Sequence, residues 1–143
     1  MKADLARIKQ YMAEIKRNSV ELNQLIDENE LTPNSIPMKA AKYIIIELAE
    51  TMCNTIQHIL AKEKGVAVSG YVDAVLKAYE NGLISESLFK RLKPFFDFRN
   101  SLIHRYWTVD DRLLLENVRR GKHDFEDFMA EIESSLQADS GQT

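Results

Sequence analysis

The sequence predicts an all-α fold, an antiparallel up-and-down helical bundle of four to six helices. Three observations carry that prediction: apolar residues recur at three- and four-residue intervals in segment after segment, no stretch alternates with a period of two, and turn residues fall between the periodic segments. The chain has 143 residues, 45% of them hydrophobic and 29% charged. That is enough to bury roughly 68–70% of the surface an unfolded chain exposes, so no disulfide or structural metal is needed. One domain over residues 1–138 is expected, followed by a frayed tail over 139–143.

The elements follow in order. From about residue 3 to 30, Leu5, Ile8, Met12, Ile15, Leu22 and Ile26 keep helical spacing, interrupted only by Ser19. The L-T-P-N-S-I-P stretch breaks that helix, with Asn34 or Ser35 as the next cap and Pro37 in the first turn. Between Met38 and Lys64 the apolar stripe widens to include Ile45, Leu48, Ala49, Met52, Cys53, Ile56, Ile59 and Leu60, which predicts a helix central to the fold or shared with a second subunit. Gly65 suits a left-handed stop. Val72, Val75, Leu76 and Tyr79 predict a short helix ending at Asn81 and Gly82. Ser85 caps the next, in which Pro94 lacks the N–H a helix interior needs, so a kink or restart is expected before the segment continues to about Tyr106. Asp110 or Asp111 caps a short helix ending at Gly121. Asp124 caps the last, whose Phe125, Phe128, Ile132 and Leu136 form one face.

Composition restricts the function classes. The single cysteine, Cys53, allows no internal disulfide and no C-x-x-C site, which favours a reducing compartment. Charges fill the N-terminus where a secretory leader needs an apolar core, and no apolar run approaches membrane-spanning length, so a soluble cytoplasmic protein is expected. The net charge of -3 hides an asymmetry: residues 89–123 carry 9 basic and 4 acidic side chains, whereas residues 124–143 carry 0 and 6. A local basic segment suits a phosphate-bearing partner, and the acidic total argues against tight nonspecific DNA binding.

The basic segment also holds the candidate chemistry, F-D-F-R-N-S-L-I-H-R-Y-W. Of three histidines, His58 lies within a helix and His123 in a turn, without catalytic neighbours. His104 is accompanied by Arg99, Asn100 and Tyr106. Asn100 and His104 share one helical face, while Arg99 and His104 diverge by about 140°. Convergence on one phosphate therefore calls for reach, local distortion or a second subunit. These residue types suit RNA cleavage without a metal, because the 2′-hydroxyl is an internal nucleophile and the protein need only move protons and neutralise phosphoryl charge. Histidine does the first, arginine's planar fork the second, and Asn100 is placed to fix the imidazole tautomer. A structural reading stands beside this one: Arg99 pairs with Asp97 or a remote carboxylate and His104 caps carbonyls near the helix end. The spacing alone does not separate the two.

The string R-N-S-L-I-H-R-Y, Arg99 to Tyr106, resembles the R-x-x-x-x-H-x-Y motif of the HEPN superfamily, particularly HepT-like toxins paired with a minimal nucleotidyltransferase antitoxin. The S-G-Y-V-D-A-V-L-K-A-Y-E-N-G-L-I-S approach and the V-D-D-R that follows extend the likeness over about residues 38–136. The resemblance implies that Arg99 and His104 are ribonuclease residues supported by Asn100. It further implies that Tyr106 is the tyrosine to which the antitoxin attaches adenylate, silencing the nuclease with added negative charge and bulk. A half-buried, hydrogen-bonded anchor is the alternative role of Tyr106.

Other patterns read more plainly. Phe95, Phe96 and Phe98 suit core, and Trp107 is the aromatic best placed to stack on a base. Arg105, Arg119, Arg120 and Lys122 form either an RNA-tracking rim or a solvated one. Asp124, Asp127 and Glu131 suit exposed helix surface rather than a metal site, and Cys53 suits inert core.

Together these readings predict a homodimeric endoribonuclease toxin that needs neither metal nor cofactor. Its Arg99, Asn100 and His104 sets would face one another across a cleft, cleavage would leave a 2′,3′-cyclic phosphate, and the partners would be RNA and a cognate nucleotidyltransferase antitoxin with which the dimer could assemble further. The rival is a non-catalytic helical module that binds a nucleotide or that antitoxin. Growth arrest on expression alone separates the two.

Overall fold

The computed structural model describes the backbone of residues 3–104 and 110–140 and the side chains of residues 3–101 and 110–137. Among these, six α-helices and one π-helical turn occur and no strand, so the all-α expectation holds: α1 (Leu5–Glu28), α2 (Ile36–Ile59), a π turn (Leu60–Lys64), α3 (Tyr71–Glu80), α4 (Glu86–His104), α5 (Asp111–Arg120) and α6 (Asp124–Ser140). None of the described helices is long and apolar enough to cross a membrane.

Helix α1 begins where the Asp4 carboxylate accepts the Arg7 N–H at 3.2 Å. Its buried stripe is the predicted one, Ile8, Met12, Ile15, Leu22 and Ile26. Ser19, which interrupts the stripe, is buried too, and its hydroxyl donates to the Lys16 carbonyl at 3.0 Å. The start of α1 is tied to the far end of α2: Ala3 N–H donates to Glu63 Oε1 and Asp4 N–H to His58 Nε2, each at 2.9 Å. The two longest helices are therefore antiparallel.

Ser35, not Asn34, caps α2, accepting the Met38 N–H at 3.1 Å, while Asn34 takes the left-handed turn with φ 63°. Helix α2 lies at the centre, packed against α1, α3 and α4. Its buried Thr55 hydroxyl donates to the Thr51 carbonyl at 2.8 Å, so the helix carries polar residues into the core without orphaning them. Its last turn widens to π geometry before Gly65, whose φ of 65° supplies the left-handed stop.

Ser85 starts α4 by accepting the Leu88 N–H at 3.1 Å. Of the kink or restart expected at Pro94, the restart does not occur: α4 is one helix from Glu86 to His104. Pro94 and Lys90, whose carbonyl loses its helical donor, are both exposed residues, while Leu92 and Phe96 hold the helix to the core on either side. Asp110 caps α5 by accepting the Arg112 and Leu113 N–H groups.

Asp124, expected as a cap, is instead the first residue of α6 and turns to Arg91. With Asp127 and Glu131 it corrects a second expectation, because this acidic stripe faces α4 rather than solvent alone. Arg91 bonds to Asp124 and Asp127, and Glu131 accepts the Ser85 N–H at 2.6 Å and its hydroxyl at 3.1 Å. Since Ser85 pairs with Glu131 and Arg91 with Asp124, α4 and α6 are also antiparallel. Phe125, Phe128 and Ile132 on α6 are buried as the periodicity predicts, and Leu136 is half-buried. Gly141, Gln142 and Thr143 of the expected tail lie outside the described residues.

Candidate functional site

Helix α4 presents Leu88, Leu92, Phe96 and Arg99 on one buried stripe, so the arginine occupies a position that the preceding turns fill with apolar side chains. Arg99 is only 9% exposed. Its surroundings come from two other helices. The guanidinium carbon stands 3.4 Å from the centroid of the Tyr71 ring at the start of α3. Arg99 Nη2 donates to Glu50 Oε1 of α2 at 3.4 Å, and Arg99 Nε is buried with no hydrogen-bond partner among the described residues.

The electrostatics single out Glu50 as the counter-charge. Cys53, one turn along α2, has its thiol pushed up to about 11, chiefly by burial, with the positive charge of Arg99 opposing. Burial likewise raises the Tyr71 hydroxyl above its ordinary value against the pull of Arg99. Both groups are therefore neutral at pH 7. A buried guanidinium normally costs several kcal/mol unless ion-paired and hydrogen-bonded. One long contact and a ring, worth about 0.5–2 kcal/mol, offset only part of that.

Of the structural alternatives, Asp97 does not serve Arg99; it pairs with Lys93 at 3.3 Å. The partner is the remote carboxylate, Glu50. Asn100 is half-buried one position further round the helix. His104 is the last residue of α4, one turn beyond Asn100, and its side chain lies outside the described residues, as do Arg105, Tyr106 and Trp107 entirely. Five residues span about 500° on a regular helix, so the Arg99 and His104 positions are offset by about 140° on α4.

The remaining basic candidates lie elsewhere. Helix α5 runs back along α4, and Asn117 and Gly121 line a small cavity with Arg91 and Pro94. Arg119, Arg120 and Lys122 therefore sit towards the Arg91 end of α4. Arg120 pairs with Glu116 at 2.8 Å, and Arg119 and Lys122 line an open cleft of about 300 Å³ with Asn23, Ile26 and Asp27. The aromatic run behaves as core: Phe96 is fully buried, and Phe95 meets Phe96 and Phe125 edge-on. Sequence reasoning missed Glu50 and Tyr71. The one available signal was Arg99 itself, a charge on a core stripe that must find a distant partner.

The family described as HepT-like, ribonuclease HepT-like, matches residues 1–132. The chain belongs to that family. A relative from Archaeoglobus fulgidus, provisionally named an RNase, is 31% identical to this HepT-like chain over 118 residues, covering 82% of this chain and 87% of the relative. Among solved structures, the HepT-like fold recurs in YutE from Bacillus subtilis, described as a cytosolic protein of unknown function, with TM-score 0.81, 17% identity and 97% and 95% of the two chains covered. It recurs also in the tri-AMPylated HEPN toxin of Shewanella oneidensis in complex with MNT antitoxin, with TM-score 0.80, 20% identity and 90% and 97% covered. At these identities the two structures establish the shared helical architecture and nothing finer.

Proposed function

We propose that this protein is a metal-independent endoribonuclease toxin, active as a homodimer and restrained by a nucleotidyltransferase antitoxin. The observation that carries the reading is the state of Arg99: a buried guanidinium in the family's motif position that, among the described residues, has no partner for its Nε–H and one long contact to a carboxylate. Such a group is a ready anchor for a phosphate, which takes two parallel N–H bonds from an arginine fork. Family membership supports ribonuclease chemistry, and the relative from Archaeoglobus supports the same substrate class. The likeness to a toxin held by its MNT antitoxin supports the partner.

In this reading the RNA 2′-hydroxyl attacks the adjacent phosphorus, Arg99 neutralises the charge growing on the non-bridging oxygens, and His104 moves the proton. Attack breaks the bond to the 5′-oxygen and leaves a 2′,3′-cyclic phosphate. Because Arg99 and His104 diverge on one helix, a second subunit completes the site. The apolar side chains exposed on α2 and α5, Ile36, Tyr43 and Leu113, suit contact with another copy. Adenylate attached to Tyr106 would place phosphate and base over the same site and block RNA. The test is incubation of the purified protein with RNA in EDTA, followed by end-group analysis. Arg99→Ala and His104→Ala are each expected to lose on the order of 10²–10³-fold in rate. Variants that cut as well as the parent would falsify the assignment, and a parent that neither cuts RNA nor arrests growth would leave the binding module.

A further inference from the structure

Resting on the nuclease reading and adding two residues to it, we propose that Tyr71 and Glu50 are positioning residues that together hold Arg99 for contact with an RNA phosphate. Three separate helices build the arrangement: α3 supplies the ring, α2 the carboxylate and α4 the guanidinium. The two contacts do different things. Stacking on Tyr71 uses the π face of the guanidinium, and all five N–H groups radiate in its plane, so the ring immobilises the group without consuming a donor. Glu50 then fixes rotation within that plane through one N–H, Nη2.

The geometry distinguishes this from an ordinary ion pair. An arginine held for stability is gripped through short, paired bonds. Glu50 reaches Arg99 with one oxygen at 3.4 Å, its side chain is 47% exposed, and the neighbouring Nε–H takes nothing from it. Among the described residues Glu50 engages the fork through Nη2 alone, and Nη1 has no hydrogen bond there. Without the ring and the carboxylate, a long and flexible side chain must be ordered in each catalytic cycle, which slows the chemical step more than it weakens binding.

The experiment is steady-state RNA cleavage in EDTA by the full-length parent, Arg99→Ala, Tyr71→Leu, Tyr71→Phe, Glu50→Ala and Glu50→Gln, each with its thermal midpoint measured. Tyr71→Leu and Glu50→Ala are expected to lower kcat about ten- to hundredfold, a size set by the cost of about 1 Å of misplacement, with KM changed by less than about threefold. Tyr71→Phe keeps the ring and Glu50→Gln keeps the accepting oxygen, so both are expected within about threefold of parental kcat, a rescue that bulk packing would not produce. Parental kcat in Tyr71→Leu and Glu50→Ala, a rise in KM alone, or faster cleavage by Glu50→Ala overturns the positioning role while Arg99→Ala remains inert. An Arg99→Ala variant as active as the parent instead overturns the nuclease reading and this one with it. Since Glu50 is half-exposed, its two variants decide the matter if Tyr71→Leu does not fold.

Discussion

Arg91 and Arg99 lie two helical turns apart on α4, and the protein treats them in opposite ways. Arg91 has a 40% exposed side chain, yet its Nη1 is held by Asp124 Oδ1 at 2.5 Å and Asp127 Oδ2 at 2.8 Å. These bonds, that to Asp127 foremost, raise its pKa further. Arg99, with an 11% exposed side chain, has among the described residues one hydrogen bond, at 3.4 Å, and a buried donor without a partner. Stability alone would arrange matters the other way round, because an unmet donor costs most where water cannot reach it. Arg91 joins two helices. Arg99 leaves a buried donor without a partner among the described residues, which fits the proposed role of Arg99 as a phosphate anchor.

Exchanging lysine for each arginine breaks the comparison most sharply. Lysine keeps the charge and loses the planar fork. Arg99→Lys is expected to lose on the order of 10²-fold in RNA cleavage. Arg91→Lys is expected to cleave like the parent. The converse holds for stability: Arg91→Ala removes a surface network and is expected to cost about 0.2–1 kcal/mol, a fall in thermal midpoint of a few degrees, with cleavage at the parental rate. Equal loss of cleavage in the two lysine variants would erase the distinction between the arginines.

The smallest effect is one of pH, and it guards the comparison against a confusion. His58 Nε2 accepts the Asp4 N–H at 2.9 Å, which only an unprotonated nitrogen can do. Burial chiefly, helped by Arg7 and Lys62 and opposed by Asp4, lowers the His58 pKa below its ordinary value. The folded state therefore binds its proton less readily than the unfolded chain. The stabilisation is complete above a pH of about 6.5 and is lost as pH falls through the lowered folded value. In His58→Gln the thermal midpoint is expected to fall less steeply below that pH, with neutral-pH cleavage unchanged. An acid limb of the cleavage profile that survives His58→Gln then belongs to the Arg99 site rather than to the anchoring of α1.

The helices were legible because each announces itself locally: the stripe of α1, the serine caps of α2 and α4, the glycine after the π turn. What was not legible depends on what packs against a face. The π turn at Leu60–Lys64 has the same apolar spacing as the helix before it. Asp124, Asp127 and Glu131 read as a solvated face because periodicity does not reveal that α4 lies across from them. The motif singled out Arg99 and His104 as candidates, and the partners of Arg99 were not legible, since Glu50 is 49 residues away and only tertiary packing brings it near. The expected Arg99 pairing with Asp97 or a distant carboxylate resolved to the distant one because Asp97 points along its own helix to Lys93.

The claim that most needs testing is that Arg99 holds donors in reserve for phosphate, and nuclear magnetic resonance of arginine Nε–H groups reads this directly. Protein with nitrogen-15 label would be titrated with an RNA fragment made uncleavable by 2′-deoxy substitution at the scissile residue. The Arg99 Nε–H signal is expected to move downfield and to exchange more slowly with water as the fragment binds, while that of Arg91 stays in place. A fragment that binds and leaves the Arg99 signal unmoved, or shifts both arginines alike, contradicts the account.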